Sequence, residues 1–379
     1  MRTKISDLDK IDENQNVDIK GRVIALRKHE KTVFLDVEDE TGKYQVLVER
    51  SIFDSSPIRV GDILNLEGHK FKTGTNHPSL QIREYNFLVR PVDYMTSDSE
   101  TRELILDRAN VENTISSFFR DRGVIKVDTK VLSEYSGSSD IIPFKTSHRG
   151  KKDHFLRFTM ELELKKLVAK TQMPLFEIGH VFRNLGKSNR RSIEYTSCEA
   201  CIPYLDFEEG ITMAENLFKT LAQSYGKEIG EIPRVSIEEI CKQLSGKPNF
   251  ELTDDMKKIY KKQIKKMDGP IIVASPPGQW TSPLYVQDEN GTARDSRFLY
   301  GGLGTIIQVC EESTDYDRIV RSISDQQERL RSTGRESSVD PSFLDAMRSG
   351  LPPSIGIHIS LDRFLMAFRD ENNIGRVKI

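Results

Sequence analysis

Short runs of alternating apolar and polar residues fill the first part of the chain. Five such runs, separated by polar or glycine-containing turns, lie at 17–27, 31–39, 44–53, 62–72 and 80–89. Alternation with a period of two predicts strands with one buried face. Five short strands in one stretch predict a small Greek-key barrel of the kind that binds oligonucleotides.

Nucleic acids bind such barrels on the face of the second and third strands, where aromatic side chains stack on bases and basic ones follow phosphates. The candidates here are Arg22, Arg27, Phe34 and Gln45. The alternative is that Phe34 belongs to the core and the arginines are solvated surface residues. The barrel pattern alone slightly favours that alternative.

After the barrel, the chain mixes helical and strand periods. We therefore predict three parts for the whole chain: the barrel at 1–92, a polar linker at 93–106 and a larger domain at 107–379. Helical spacing predicts helices at 107–122 and 207–225, a strand followed by a helix at 153–170, and a charged helical stretch at 226–268. Further strands are predicted at 124–132, 175–182, 194–202 and 271–273.

Two of these strands form a hairpin, 175–182 and 194–202, joined by a long basic loop. The hairpin carries Arg183, Arg190, Tyr195 and Glu199. Arginine binds phosphate through a bidentate fork, the tyrosine ring offers a stacking face for a base, and a glutamate can hold an ammonium group. These residues indicate a nucleotide site, although the hairpin alone also fits an ordinary charged surface.

A second motif, GLPPSIGIHISLDR at 350–363, predicts a strand that leads into a helix. The hairpin itself reads FRNL at 182–185 and RRSIEYT at 190–196, followed by Glu199. In this order and spacing the two motifs resemble those of class II aminoacyl-tRNA synthetases of the lysyl, aspartyl and asparaginyl subgroup, and the lysyl enzymes fit best. The resemblance covers nearly the whole chain. It implies an N-terminal all-β OB-fold barrel that binds an anticodon and an α+β catalytic domain with an antiparallel sheet flanked by helices.

The resemblance also implies an activity: activation of an amino acid with ATP as an aminoacyl-adenylate, then transfer to tRNA or another acceptor. Catalysis would fall to Arg183 and Arg363, and ATP binding to these two together with Arg190 and Tyr195. The amino acid would be held by Glu161, Glu199, Gln308, Glu312 and His358. With the resemblance in view, RNA binding by the barrel candidates becomes the favoured interpretation, and the segment 124–132 is expected to form a homodimer contact.

Some positions depart from the pattern of the lysyl enzymes, which hold magnesium on ATP with two glutamates. Thr305 stands at one of these positions, and near Phe298 and Leu299, where the other should be, there is no carboxylate. Because hard cations prefer anionic oxygen ligands, we expect magnesium to bind weakly or to depend on Glu312.

Other departures affect the ligand pocket and the dimer contact. His358 and Ser360 replace glycines, and a side chain there would occupy room that the ligand uses. Leu185 replaces a glutamate that borders the adenine, and Cys201 replaces a tyrosine of the lysine pocket. In the dimer segment, Lys130 replaces a proline. These changes indicate a remodelled pocket.

Two other classes of function stay open. The chain could be a synthetase-derived paralogue that lacks ATP activation and binds or transfers an aminoacyl group. It could also be an RNA-binding regulatory dimer that uses the barrel and an inert catalytic scaffold.

Amino-acid composition excludes few of these classes of function. The 379 residues include 56 basic and 58 acidic ones, with a net charge of −2, so any RNA contact has to be local. Four cysteines without an apolar N-terminal segment predict a reducing cytoplasm, and no apolar run approaches the roughly 20 residues of a membrane span. Cys198 and Cys201 fall inside a predicted strand, so we interpret them as packing residues rather than a redox or zinc pair.

Overall fold

The computed structural model describes residues 2–93, 98–137, 141–150, 152–245, 253–264, 269–274, 276–282, 284–335 and 337–379. The chain divides into two compact units, residues 1–99 and 100–379. Parts of the predicted linker (94–97) and of the charged helical stretch (246–252 and 265–268) lie outside the described residues.

The first unit is a closed five-stranded barrel with the strand order β1-β2-β3-β5-β4. Its strands are β1 (Asn16–Lys28), β2 (Thr32–Glu38), β3 (Lys43–Glu49), β4 (Ile63–Lys72) and β5 (Pro78–Val89), with a short helix α1 (Arg50–Ser55) and a 3-10 helix (Ile5–Lys10). Alternate residues of each strand point inward; Val33, Leu35 and Val37 of β2, for example, are fully buried. The predicted barrel is therefore confirmed.

The second unit is built on an eight-stranded sheet with the order β12-β13-β14-β15-β16-β11-β10-β6. These strands are β6 (Ile125–Lys126), β10 (Leu175–Phe182), β11 (Glu194–Pro203), β12 (Arg234–Ser236), β13 (Pro270–Ala274), β14 (Asp295–Tyr300), β15 (Thr305–Glu311) and β16 (Ser354–Ser360). Neighbours from β13 to β10 are antiparallel, whereas the two outermost pairs are parallel. A smaller sheet contains β7 (Leu132–Ser133), β8 (Lys145–His148) and β9 (Lys152–Leu156).

Helices cover both faces of the large sheet. They are α2 (Ser99–Arg120), α3 (Glu161–Thr171), α4 (Phe207–Ser224), α5 (Ile237–Ser245), α6 (Asp254–Ile264), α7 (Tyr316–Ser332), α8 (Pro341–Ser349) and α9 (Leu361–Phe368), with short 3-10 helices at Gly278–Trp280 and Ile374–Val377. One face packs its apolar residues against α2, α4 and α9, and the opposite face packs against α3, α7 and α8. The predicted α+β architecture is confirmed. No helix in the described ranges is both long and apolar enough to cross a bilayer.

Helix α4 approaches the sheet closely because it carries a glycine where it crosses the strands. A Cβ atom on Gly210 would lie 2.7 Å from Cγ2 of Ile355 and 3.2 Å from Cγ1 of Val309. The helix starts at a capping box, in which Asp206 accepts a hydrogen bond from the backbone of Glu209 and the Glu209 side chain accepts one in return. The apolar period and the cap together explain why this predicted helix forms where it does.

Three element predictions need correction. The helix predicted from residue 107 begins at Ser99, so part of the predicted linker is helical. The strand predicted at 124–132 is two short strands in different sheets, because the amide and hydroxyl of Thr129 between them bond to the Glu177 carboxylate instead of a neighbouring strand. The charged stretch 226–268 contains strand β12 as well as two helices, since residues 234–236 pair with β13.

A buried ion pair ties several elements of the second unit together. Nη1 of Arg108 in α2 donates to Oδ1 of Asp362 in α9 at 3.0 Å and to the Val377 carbonyl at 2.7 Å. Its Nη2 donates to the hydroxyl of Thr196 in β11 at 2.6 Å. The Asp362 side chain has no exposed surface and also accepts the Thr196 amide. Removal of Arg108 would leave this buried carboxylate with a more distant cation, Nζ of Lys378 at 3.6 Å.

We predict that Arg108→Ala lowers the free energy of unfolding by about 3 kcal/mol, because breaking a buried pair strands the remaining charge. Urea unfolding measures the loss. The matched control is Arg376→Ala, whose ion pair with Glu100 is more than half exposed and should contribute less than about 1 kcal/mol. Equal losses in the two variants would contradict a structural role for Arg108.

Candidate active site

Five polar or charged residues form one row across the middle of the large sheet. Cross-strand pairing aligns Glu177 of β10 with Glu199 of β11, Glu199 with His358 of β16, His358 with Gln308 of β15, and Gln308 with Arg297 of β14. Side chains alternate along each strand, so the sequence neighbours of these residues face the opposite side of the sheet. There Ala200, Ile357 and Val309 join the apolar core. One face of the sheet is therefore a polar floor.

Most of the predicted ligand-binding residues surround one cavity of about 260 Å³ above this floor. The predicted amino-acid residues that line it are Glu161, Glu199, Gln308, Glu312 and His358, and the two predicted catalytic arginines, Arg183 and Arg363, line it as well. Residues separated by up to two hundred positions in sequence thus meet in one place.

The two arginines point their guanidinium groups into the same cavity. Arg183 donates from Nε to the Phe158 carbonyl at 3.4 Å, and its guanidinium carbon lies 5.9 Å from the centre of the Tyr195 ring. Arg363 donates from Nη1 to the Thr305 carbonyl at 3.0 Å. Burial, together with the positive charges of Arg183 and Arg191, lowers the pKa of Arg363. This end of the cavity is therefore strongly cationic.

Two residues singled out from the sequence have structural partners instead of facing the cavity. Arg190 donates from Nη1 to the Gly302 carbonyl at 2.7 Å, which ties the hairpin loop to the β14–β15 turn. Ser360 does not line the cavity; its hydroxyl accepts the Arg363 amide at 3.4 Å and caps α9. The expectation that Ser360 occupies ligand space is wrong, because an N-cap side chain turns towards its own helix.

Glu199 presents one carboxylate oxygen with no partner. Its Oε2 accepts hydrogen bonds from the Thr159 hydroxyl at 2.8 Å and the Met160 amide at 3.0 Å. Its Oε1 is buried and has no hydrogen-bond partner in the part of the chain that the structure describes. Burial raises the pKa of Glu199 to about 7, helped by the nearby charge of Glu161 and opposed by the Thr159 hydrogen bond and by Arg183. An incoming N–H group could pair with the open oxygen.

The inner end of the cavity holds a lysine that the sequence analysis missed. Nζ of Lys165 lies 2.5 Å from Oε1 of Glu161 and 2.6 Å from Oε2 of Glu312, and the lysine side chain is only 3% exposed. Burial opposes its charge, but the two carboxylates outweigh burial and raise the pKa of Lys165. Lys165 follows Glu161 by four residues in α3, so the helical period could have revealed the pair. The contact with Glu312 depends on the tertiary fold.

Glu312 fits over the sheet because β16 has a glycine at this point. A Cβ atom on Gly356 would lie 2.4 Å from Oε1 of Glu312 and 2.8 Å from Sγ of Cys310. Cys201 flanks the same glycine from β11. Burial raises the pKa of Cys201 to about 12, so this thiol stays protonated. Cys201 and Cys310 line the pocket wall, whereas Cys198 packs in the apolar core on the opposite face of the sheet.

His358 occupies the floor between the cationic end and Glu199. Its Nε2 lies 2.8 Å from the hydroxyl of Ser197, which donates to the Ile359 carbonyl, and 4.0 Å from Oε1 of Glu199. About a third of the imidazole is exposed to the cavity. Burial and the charges of Arg183 and Arg363 lower the pKa of His358 to about 3. The ring is therefore neutral at physiological pH and narrows the cavity beside the arginines.

Gln308 and Arg297 are held in place by a buried aspartate. Oδ1 of Asp295 accepts a hydrogen bond from Nε2 of Gln308 at 3.0 Å, and its Oδ2 pairs with Nη2 of Arg297 at 2.7 Å. Asp295 has no exposed surface. The amide of Gln308 is therefore oriented with its carbonyl oxygen free of the aspartate, which leaves an acceptor at the cavity wall.

The residues present do not fit a magnesium ion. Thr305 and Leu299 are cross-strand partners, and only Thr305 lines the cavity, whereas Leu299 packs among apolar side chains. Glu312, the expected weak ligand, is engaged by the ammonium group of Lys165. Across the described residues, no three His, Cys, Asp or Glu side chains are arranged to hold a metal.

The barrel carries its own group of predicted residues on the outer surface of β1, β2 and β3. Phe34 is only partly buried, stands outside the barrel core and packs edge-on against the His29 ring with centroids 5.4 Å apart. Arg27 forms a bidentate pair with Asp36 at 2.9 and 2.7 Å, and Gln45 donates to the Ser79 hydroxyl at 3.0 Å. Arg22 lies at the other end of β1, opposite Glu38. The alternative that placed Phe34 in the core is wrong.

Known families match both units. Residues 84–379 match the family model of class II tRNA synthetases (D, K and N), and residues 17–88 match that of the OB-fold nucleic acid binding domain. A lysine–tRNA ligase of Thermoanaerobacter pseudethanolicus is 25% identical over 430 aligned residues, which cover 96% of this chain and 86% of the relative. Lysine–tRNA ligases of Dehalococcoides mccartyi and Clostridium perfringens are also 25% identical, over 95% and 96% of this chain and 85% and 86% of their own lengths.

We predict that the buried imidazole makes the protein less stable in acid. Between pH 6.5 and about 3 the unfolded chain binds a proton on His358 that the folded protein excludes, so the free energy of unfolding falls as the pH falls through this window. His358→Gln should remove this contribution. As the pH falls, the free energy of unfolding of the variant should therefore decrease less than that of the wild type.

Urea unfolding at a series of pH values below 6.5 measures the difference. His180→Gln is the matched control, because that histidine side chain is more than half exposed. Stability profiles of wild type and His358→Gln that stay parallel with pH would show that the imidazole is accessible to protons in the folded state.

Proposed function

Because the chain belongs to the class II tRNA synthetases of the aspartyl, lysyl and asparaginyl group, we propose that it is a ligase that activates an amino acid with ATP and transfers it to tRNA or another acceptor. The main support for this proposal is the shared cavity, which Arg183 and Arg363 line together with Glu161 and Glu199. A cationic end suits phosphates and a carboxylate, and an acidic end suits an amino group.

In this proposal the amino acid carboxylate attacks the α-phosphorus of ATP and pyrophosphate leaves. Arg183 pairs with the carboxylate and the α-phosphate, and Arg363 neutralises charge from the other side of the phosphates. Tyr195, beside Arg183, offers its ring as a stacking face for the adenine. Arg190 acts indirectly, since its hydrogen bond to Gly302 keeps the hairpin loop near the nucleotide.

The acidic end supports a substrate that brings positive charge. Glu161 and Glu312 share the single ammonium group of Lys165, and Oε1 of Glu199 has no hydrogen-bond partner among the described residues. Carboxylates therefore outnumber cations at this end, which favours the α-ammonium group of an amino acid and a basic side chain. Gln308 and His358 would add neutral hydrogen-bonding groups along the floor. Lysine and its shorter or longer diamino analogues are the first candidates.

Partners beyond the small substrates are part of the same proposal. The barrel would bind the RNA acceptor through Phe34 with Arg22, Arg27 and Gln45, and the activated amino acid would pass to that RNA or to another acceptor. Ile125, Val131 and Leu132 are 42%, 40% and 51% exposed, which supports a second copy of the chain docking on this segment as a homodimer. Four free, buried cysteines support a cytoplasmic location.

One observation favours a second candidate function, that of a paralogue that binds or transfers an aminoacyl group without activating ATP. The imidazole of His358 lines the cavity beside the two arginines, and the residues near Thr305 do not fit magnesium. Either change could reduce ATP activation while leaving the amino-acid end intact. Pyrophosphate exchange separates the two functions directly.

We predict amino-acid-dependent ATP–pyrophosphate exchange with at least one member of a panel of amino acids and diamino analogues. Arg183→Gln should lower the exchange rate by about a hundredfold or more, because one preorganised charge donor to a developing anion contributes roughly that factor. Arg120→Gln, which changes the same charge at the end of α2 outside the cavity, is the matched control. If the folded wild-type protein shows no exchange with any amino acid of the panel, amino-acid activation is ruled out.

We also predict that Phe34→Ala weakens binding of tRNA by about 1–3 kcal/mol, the usual contribution of a base stacked on an aromatic ring. Filter binding at several salt concentrations measures the loss, and the unchanged salt dependence expected for the variant shows that phosphate contacts persist. An affinity equal to that of the wild type would place the RNA elsewhere. Tight RNA binding without any exchange activity would favour the regulatory alternative.

A further inference from the structure

At the cationic end of the cavity, the guanidinium groups of Arg183 and Arg363 have no acidic hydrogen-bond partner among the described residues. Neither Arg183 nor Arg363 forms an ion pair with any of the described residues, and both use only part of their donors on backbone carbonyls. Nε of Arg363 is buried and has no hydrogen-bond partner in the described ranges. Guanidinium groups with unused donors beside a cavity form a site for an anion.

Arg183 and Arg363 both line this end of the cavity. Burial lowers the pKa of Arg363, and the positive charges of Arg183 and Arg191 lower it further. Like charges held near one another repel, and a bound polyanion would relieve the repulsion.

The acidic side chains that would hold a divalent cation here are missing. Thr305 offers a neutral hydroxyl, and its cross-strand partner Leu299 is 4% exposed within an apolar cluster. Glu312 is 2% exposed and is paired with Lys165 at the opposite end of the cavity. Magnesium is usually held by one or two protein carboxylates together with the phosphates, so this wall offers poor ligands for it.

We infer that this cavity binds the phosphates of a nucleotide without a divalent cation held by the protein, and that Arg183 and Arg363 supply the positive charge instead. The inference rests on the proposed binding of ATP in the cavity. It differs from that proposal because it concerns how the phosphate charge is neutralised, whether or not the nucleotide then reacts.

Calorimetric titration of the full chain with ATP, in EDTA and in excess Mg²⁺, tests the inference. We expect ATP affinities in the two buffers to agree within about threefold. Arg363→Gln should lower the affinity in EDTA by about tenfold, the effect of losing one charge-assisted contact. Arg120→Gln, which removes the same charge outside the cavity, should bind ATP as the wild type does.

A gain of metal dependence provides the sharper test. Thr305→Glu places a carboxylate opposite the phosphates, so its ATP affinity in EDTA should fall about tenfold and recover when Mg²⁺ is added. Thr305→Gln has nearly the same size without the charge, and any loss it shows should be equal in both buffers. Binding of Mn²⁺, followed by electron paramagnetic resonance with ATP present, should be seen for Thr305→Glu and be absent from the wild type.

The outcomes separate this inference from the proposed activity. A wild-type ATP affinity at least tenfold weaker in EDTA than in Mg²⁺, or a protein-held Mn²⁺ signal in the wild type, overturns the inference even if pyrophosphate exchange is active. Absence of ATP binding in both buffers overturns it as well. Metal-independent binding without exchange supports the inference and rejects amino-acid activation.

Discussion

The register of β11, β16 and β15 is the constraint on which the site depends. It sets Glu199, His358 and Gln308 side by side on one face, while their neighbours Ala200, Ile357 and Val309 lie in the core. A slip of one residue would bury the polar row and expose the apolar one, at a cost that no local contact could offset. The large apolar core under α2, α4 and α9 therefore fixes the polar floor of the cavity.

Two opposite electrostatic environments share this floor. Arg183 and Arg363 make one end cationic, and Glu161 and Glu312 make the other acidic, with Glu199 and the neutral His358 between them. Such an arrangement suits a ligand that is itself dipolar, with phosphate and carboxylate at one end and an amino group at the other. The ammonium group of Lys165 neutralises part of this acidic charge. A positively charged ligand group is therefore attracted less strongly than it would be by the three carboxylates alone.

Departures from the family pattern occur at the cationic end, along the floor and, at Cys201, beside Glu312, whereas the acidic end has its carboxylates. Thr305 and Leu299 offer no carboxylate to a hard cation, and His358 lies on the floor beside the arginines. If the proposed function holds, these changes bear on how phosphate is bound, and the carboxylates for an amino group stay in place.

The barrel, the hairpin, the family and most residues around the cavity could be predicted from the sequence, because each rests on a short-range period or a contiguous motif. The tertiary fold set which of these residues face one another: it made Ser360 a helix cap, paired Arg190 with the Gly302 carbonyl and placed Lys165 between Glu161 and Glu312. It also split the predicted strand at 124–132, since the Glu177 carboxylate takes the hydrogen bonds that a neighbouring strand would have made. Such outcomes depend on contacts between distant segments, and a periodic pattern carries information only about residues close in sequence.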